Sequence, residues 1–103
     1  MKIPESIIIE GYKWSIKRKW KLEIDGNSCL GLCSPESRTI FLVHGLEKDE
    51  LFEVFMHEYL HAILYEKGFY LTARTSDAEE LLVNGLAKEL LRTFRLKFKD
   101  ATQ

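Results

Sequence analysis

Long apolar runs are missing from this chain. No stretch approaches the ~20 apolar residues of a membrane span, and the opening Met-Lys-Ile-Pro-Glu lacks the apolar core of a secretion signal. A cytoplasmic protein with no membrane partner is therefore expected. Cysteine is scarce, with Cys29 and Cys33 alone. Their Cys-x3-Cys spacing is not the Cys-x2-Cys of most zinc knuckles and no second pair exists, so reduced thiols on or near a strand are expected. Neither sign of charge dominates: 15 Lys and Arg stand against 16 Asp and Glu, a formal net charge of −1. Global charge thus points to neither nucleic acid nor membrane as partner. Repeats, low-complexity segments and domain boundaries are also lacking. At 103 residues, 46% hydrophobic and 30% charged, the chain fits one globular domain spanning 1–103.

What is present divides into two halves. Up to about residue 45 the pattern is that of strands. Ser6 to Glu10 is short and β-branched, and Gly11 offers a turn. From Trp14 to Leu22 the residues alternate, with Trp14, Ile16, Trp20 and Leu22 on one face, interrupted by Arg18, and Ser15, Lys17, Lys19 and Lys21 on the other. Asp25-Gly26-Asn27-Ser28 is a turn, Cys29 to Cys33 a short strand, Ser34-Pro35-Glu36-Ser37 another turn, and Thr39 to Val43 a fourth strand. The second half is helical. Glu47, Asp49 and Glu50 suit a helix N-terminus, the helix runs to about Lys67, and Gly68 stops it. Its apolar residues surround most of its circumference, which predicts burial on more than one side. After a loop from Phe69 to Thr75, Ser76-Asp77-Ala78-Glu79 has the form of a capping box, and a helix continues to about Phe98. The expected class is α+β: an antiparallel or mixed sheet of about four strands packed on two C-terminal helices.

Inside the first helix lies His57-Glu58-Tyr59-Leu60-His61. At 3.6 residues per turn, His57 and His61 project about 40° apart, so both imidazoles can reach one metal ion. Glu58 projects about 60° beyond His61, on the flank of that face. Two imidazoles and a carboxylate suit zinc, with a fourth position open to water. Zinc acidifies water and polarises a carbonyl; Glu58, off the metal, can then take a proton and deliver it to a leaving nitrogen. The chemistry is that of a zinc-dependent metallopeptidase hydrolysing peptide bonds, with a peptide or protein as its substrate.

The third ligand must come from elsewhere. The metzincin pattern needs a glycine and a histidine three and six residues after His61, where this chain has Leu64 and Lys67. SprT-like peptidases use a downstream histidine, and none follows His61. A glutamate on the next helix, the gluzincin arrangement, leaves Glu79 and Glu80. Glu79 has a local role in the capping box. Glu80 falls on a stripe with Asn84, Ala87, Leu91, Phe94 and Phe98, where a buried carboxylate needs a partner. Glu80 is favoured, Glu79 remains the alternative, and Asn84 could hydrogen-bond a ligand histidine.

Two segments, Val54-Phe55-Met56-His57-Glu58-Tyr59-Leu60-His61-Ala62-Ile63 and Glu80-Leu81-Leu82-Val83-Asn84-Gly85-Leu86-Ala87-Lys88-Glu89-Leu90-Leu91, together resemble the ImmA/IrrE-type metallopeptidases and the short phage-type proteins related to them. The second is similar to that family's Glu-x-x-Ala-Asn-x-x-Ala-x-x-Leu helix, with Val83 at the usual alanine. The resemblance implies His57, His61 and Glu80 as zinc ligands, Glu58 as base, and a minimal zincin-like domain. It also implies a small sheet on the active-site helix, with Thr39 to Val43 as the edge along which a peptide could lie. The chain shows no helix-turn-helix segment.

Other residues receive plainer roles. Lys17, Arg18, Lys19 and Lys21 with Trp14 and Trp20 look like a nucleic-acid patch, but their alternation favours a solvated strand face backed by core tryptophans. Arg92, Arg95, Lys97 and Lys99 are read as the wet face of the last helix. His44 and Tyr70 could stabilise an oxyanion but are more simply surface or loop residues. The rival to an enzyme is a zinc-stabilised, catalytically silent phage or bacterial module acting through a protein partner.

Overall fold

The computed structural model describes residues 2–69 and 77–102. The chain begins with a hairpin of β1 (Ser6–Ile9) and β2 (Tyr12–Lys19). Ile9 faces Tyr12 across a two-residue loop, and Glu10 (φ 52°) and Gly11 (φ 81°) both take left-handed backbone. That is the type I′ geometry whose twist matches paired strands. The same turn recurs at Asp25-Gly26, between the two-residue strands β3 (Glu23–Ile24) and β4 (Asn27–Ser28). β5 (Gly31–Ser34) follows, then a single 3-10 turn at Pro35–Ser37 and β6 (Thr39–Val43). The second half is α1 (Lys48–Glu66) and α2 (Asp77–Thr102).

The main sheet has the order β1-β2-β6-β5. β2 and β6 run parallel; the two outer pairs are antiparallel. The α+β expectation of a mixed four-stranded sheet with two C-terminal helices therefore holds. Three local expectations are corrected. Thr39–Val43 is an inner strand, hydrogen-bonded on both sides, and the edge beside the helix is β5. The expected strand from Cys29 to Cys33 begins two residues later, as β5, because Cys29-Leu30 form the connection from β4. Trp20 is not a core residue: β2 ends at Lys19, and the indole is 84% exposed and stacked on His44. The alternation that buries Trp14 and Ile16 stops with the strand, so parity no longer fixes the side chain's direction beyond it. The capping-box Ser76 and most of the loop before it lie outside the described residues.

One face of the sheet is covered by α1. Trp14, Ile16, Ile40 and Leu42 point into the core and meet Phe55, Met56 and Ala62 of that helix. Each such aliphatic side chain contributes about 1.5–3 kcal/mol by leaving water. α2 packs on the other flank of α1 through Val83, Ala87 and Leu91. Being sandwiched between sheet and helix explains why α1 is apolar over most of its surface. No helix among the described residues is long and apolar enough to cross a membrane.

Arg38 ties the far end of α1 to the sheet. It sits in left-handed backbone (φ 46°) just after the 3-10 turn. Its guanidinium lies 3.8 Å from the Tyr12 ring centroid, and Nε donates to Glu66 Oε1 at 3.3 Å. The Glu66 side chain is only 3% exposed, so removal of its cation leaves a carboxylate deprived of both partner and water. Arg38→Ala is expected to destabilise the fold by about 1–3 kcal/mol, read as a lower urea midpoint; an unchanged midpoint would show that the pair contributes nothing.

Candidate metal centre

Helix spacing brings His57 and His61 onto one face of α1, at the flank where α2 begins. Their Nε2 atoms are 3.2 Å apart. Glu80, in the first turn of α2, completes a triangle: Oε1 lies 3.0 Å from His61 Nε2 and Oε2 lies 3.3 Å from His57 Nε2. Among the described residues these three side chains form the group able to hold a metal ion.

The donor set can be tested against zinc by distance and by proton count. Ligand atoms about 2.05 Å from a tetrahedral zinc lie ~3.3 Å from one another; the 3.2 Å between the two imidazole nitrogens matches, and the Glu80 carboxylate has one oxygen within 3.3 Å of each. The second test follows from Glu79, whose Oε2 lies 2.8 Å from His61 Nδ1. If Nδ1–H donates to that carboxylate, a neutral His61 presents a lone pair at Nε2. A lone pair then faces the Glu80 carboxylate and a second imidazole. A metal ion held by the three groups would take up that lone pair together with those of His57 and Glu80. His57 is held below the ordinary histidine range, mainly by burial and then by His61, with Glu80 and a hydrogen bond to Asn84 opposing. The neutral imidazole so favoured is the form that binds metal.

Glu79 and Glu80 thus divide the work in a way their adjacency conceals. Glu79 is the more buried, with a side chain 13% exposed against 42% for Glu80. The premise that Glu80 occupies the middle of a buried face is corrected: Val83, Ala87 and Leu91 do, and Glu80 stands at the mouth of a cleft. Convergence, not burial, singles it out. Glu79 instead grips the far nitrogen of His61, a contact that fixes both tautomer and ring orientation. Asn84, one turn after Glu80, supports His57 by its hydrogen bond, as its spacing led one to expect.

The cleft has a volume of about 510 Å³ and runs between α1 and the β5 edge. Glu58 stands on its wall, 8% exposed. Burial, and after it the negative charge of Glu80, pushes its carboxyl up to about 8. A bound cation would act in the opposite direction. Gly31 makes the opposite wall possible: a Cβ there would lie 2.6 Å from Val54 Cγ1 and 3.1 Å from Glu58 Oε2. No larger residue lets β5 approach α1 so closely. Cys29 and Cys33 are free and line the same cleft. Burial, then Glu58, raises Cys33 to about 12, and the same two causes raise Cys29. Both shifts disfavour the thiolate, the nucleophilic form of cysteine.

Sequence reasoning missed the Glu79–His61 contact, the role of Gly31, and the cleft-lining Ile24, Leu30, Glu50 and Glu53. His44 stacks on Trp20, with centroids 4.1 Å apart, and does not line the cleft; Tyr70 lies outside the described residues. Comparison with protein-family models, with curated proteins and with solved structures returned no match.

One zinc per chain is expected by metal analysis. Glu80→Ala should abolish stoichiometric binding, whereas Glu79→Ala should weaken it about 10–100-fold through loss of ring orientation. The reverse ranking would move the third ligand by one residue. Because the site joins α1 to α2, chelation should lower the melting temperature. An unchanged melting curve after verified zinc removal would refute the coupling.

Proposed function

We propose that the chain is a zinc-dependent metallopeptidase. The observation that carries this reading is the convergence of His57 Nε2, His61 Nε2 and the Glu80 carboxylate within ligand distance of one point, on a cleft whose wall holds Glu58. His57, His61 and Glu80 would hold the ion. When bound, zinc supplies Lewis acidity toward a carbonyl and lowers the pKa of water.

The remaining work falls to the chain's own groups. Glu58 takes the proton of the attacking water and passes it to the leaving nitrogen. Its position on the helix, one residue after His57, sets it beside the ligand face without sharing it. Glu79 and Asn84 hold the two imidazoles in orientation, so that the site is not reorganised during the reaction. The free edge of β5 borders the cleft, and an extended peptide can pair with its backbone there. The half-buried flank formed by Leu32 and Cys33 would exclude water from that pairing.

A second reading is favoured by one observation. Leu81, Leu82 and Leu86 are 75%, 52% and 44% exposed on the same helix as Glu80. Apolar side chains grouped in this way mark protein–protein contact surfaces, as a zinc-stabilised binding module would need.

Glu58→Gln separates the two readings. It should keep zinc and fold while lowering hydrolysis of a peptide library by a factor on the order of 10²–10⁴. Equal cleavage by wild type and variant would assign the activity to another base or to a contaminant. If the zinc-loaded wild type cleaves nothing across the library, the binding-module reading replaces the enzyme.

A further inference from the structure

Glu50 and Glu53 line the cleft but belong neither to the metal group nor to the catalytic base. In projection down α1, Glu50 lies about 20° from both His57 and His61, and Glu53 about 40° from His57. The acids of the first turn, Asp49 and Glu50, suit the positive end of the helix dipole. Glu53 lies beyond that turn, and two like charges three residues apart on one helix repel each other. Neither carboxylate has an ion-pair or hydrogen-bond partner among the described residues. A zinc ion at His57, His61 and Glu80 would not supply one, because the helical rise puts Glu53 about 6 Å and Glu50 about 10 Å along the axis from His57. Among the described residues the lining holds no lysine or arginine. Negative charge at this end of the cleft is therefore uncompensated.

The other wall at this end is apolar. Ile24 and Leu30 line it, each 46% exposed. Backbone bonds hold the segment in place: the Cys29 amide donates to the Leu22 carbonyl at 3.0 Å, and the Val43 amide donates to the Leu30 carbonyl at 2.9 Å. The close approach of Gly31 to Val54 brings the two walls together. Leu30 is the neighbour of Gly31 and Glu53 the neighbour of Val54, so the apolar and acidic walls meet there. Glu58 gives an independent sign that the cleft receives a ligand. It is 8% exposed, lines the same cleft, and has no hydrogen-bond or ionic partner among the described residues.

We infer that this end of the cleft is a subsite for a lysine or arginine side chain of an extended peptide, two or three residues from the bond that is cut. The charged head sits with Glu50 and Glu53, and the aliphatic stem lies along Ile24, Leu30 and Val54. Long cationic side chains combine a charged head with an apolar stem in this way. The spacing follows from the helix: the 6–10 Å from His57 corresponds to about two or three residues of extended chain at ~3.3 Å each. An acidic side chain meets repulsion there, and a neutral one leaves both carboxylates uncompensated. The position relative to the cut bond rests on the metallopeptidase reading; the seating of the cation does not.

Octapeptide pools with one position at a time fixed as Lys, Arg, Gln or Glu, and the others randomised, test the subsite on the full zinc-loaded chain. Wild type is assayed for cleavage, with mass spectrometry locating the cut. Immobilised Glu58→Gln is assayed for retention of intact peptide. Lys and Arg pools should be cut and retained about 3- to 30-fold better than Gln pools, as two partly exposed ion pairs provide, and added salt should shrink the gain. Glu50→Gln with Glu53→Gln should abolish the preference. Glu50→Lys with Glu53→Lys should reverse it in favour of the Glu pools, with zinc content and circular dichroism unchanged. A preference that survives both double variants, equal treatment of Lys, Gln and Glu at every position, or retention of no pool would each overturn the inference. Enrichment only next to the cut, or only more than about three residues from it, would overturn it as well. Equal treatment accompanied by cleavage would leave the metallopeptidase reading standing. Selective retention without cleavage would support the subsite and sink that reading instead.

Discussion

Two imidazole nitrogens and a carboxylate converge where α1 crosses α2. His61 Nδ1 is engaged by Glu79, and His61 Nε2 faces both His57 Nε2 and the Glu80 carboxylate. Packing two helices around such a corner costs hydration chiefly at His61, the most buried of the three, and entry of positive charge offsets that cost. The cost is concentrated at the point where α2 joins the rest of the fold, because α2 packs chiefly on α1. On the proposed reading, metal affinity and helix docking are two expressions of one free energy.

The opposite wall depends on a missing side chain. β5 reaches α1 because Gly31 carries no Cβ to meet Val54 and Glu58. That approach removes water from Glu58 and raises its proton affinity, and it also raises Cys33 on the neighbouring position of the strand. A carboxylate shielded in this way is a stronger base than one in water. The thiols are driven in the same direction, away from the thiolate. A single desolvated wall thus favours acid–base chemistry at Glu58 while suppressing nucleophilic chemistry at the cysteines beside it.

The legible parts of the molecule were those written in local periodicity. The 3.6-residue spacing of His57, Glu58 and His61 is enough to place them on α1, and β6 was read to the residue from its β-branched run. Turn chemistry located Gly11 and Asp25-Gly26 because left-handed backbone selects few residue types. Strand order was not legible. Nothing in Thr39–Val43 tells that β2 and β5 will flank it, since both its faces and both its edges use ordinary apolar residues. Trp20 deceived because alternation was extended one residue past the end of β2, where the ladder no longer dictates side-chain direction. Glu79 and Glu80, adjacent on one helix, differ by about 100° in direction; only the crossing of α1 and α2 decides which reaches the imidazole lone pairs and which the N–H.

The same crossing bears on what a bound ion could do there. A structural zinc site closes its fourth position with another protein ligand, whereas a catalytic one leaves it to water or substrate. Three candidate ligands converge among the described residues, and neither Cys29 nor Cys33 is in that group. Glu58 itself sits one helical position from His57, on the wall of the cleft those ligands share. A site evolved only to pin α2 to α1 gains nothing from a carboxylate kept dry at that place, because an uncharged side chain would pack there at lower cost. On the proposed reading that cost is what makes Glu58 a competent base, and it falls on the side of the site from which a peptide on β5 would present its carbonyl.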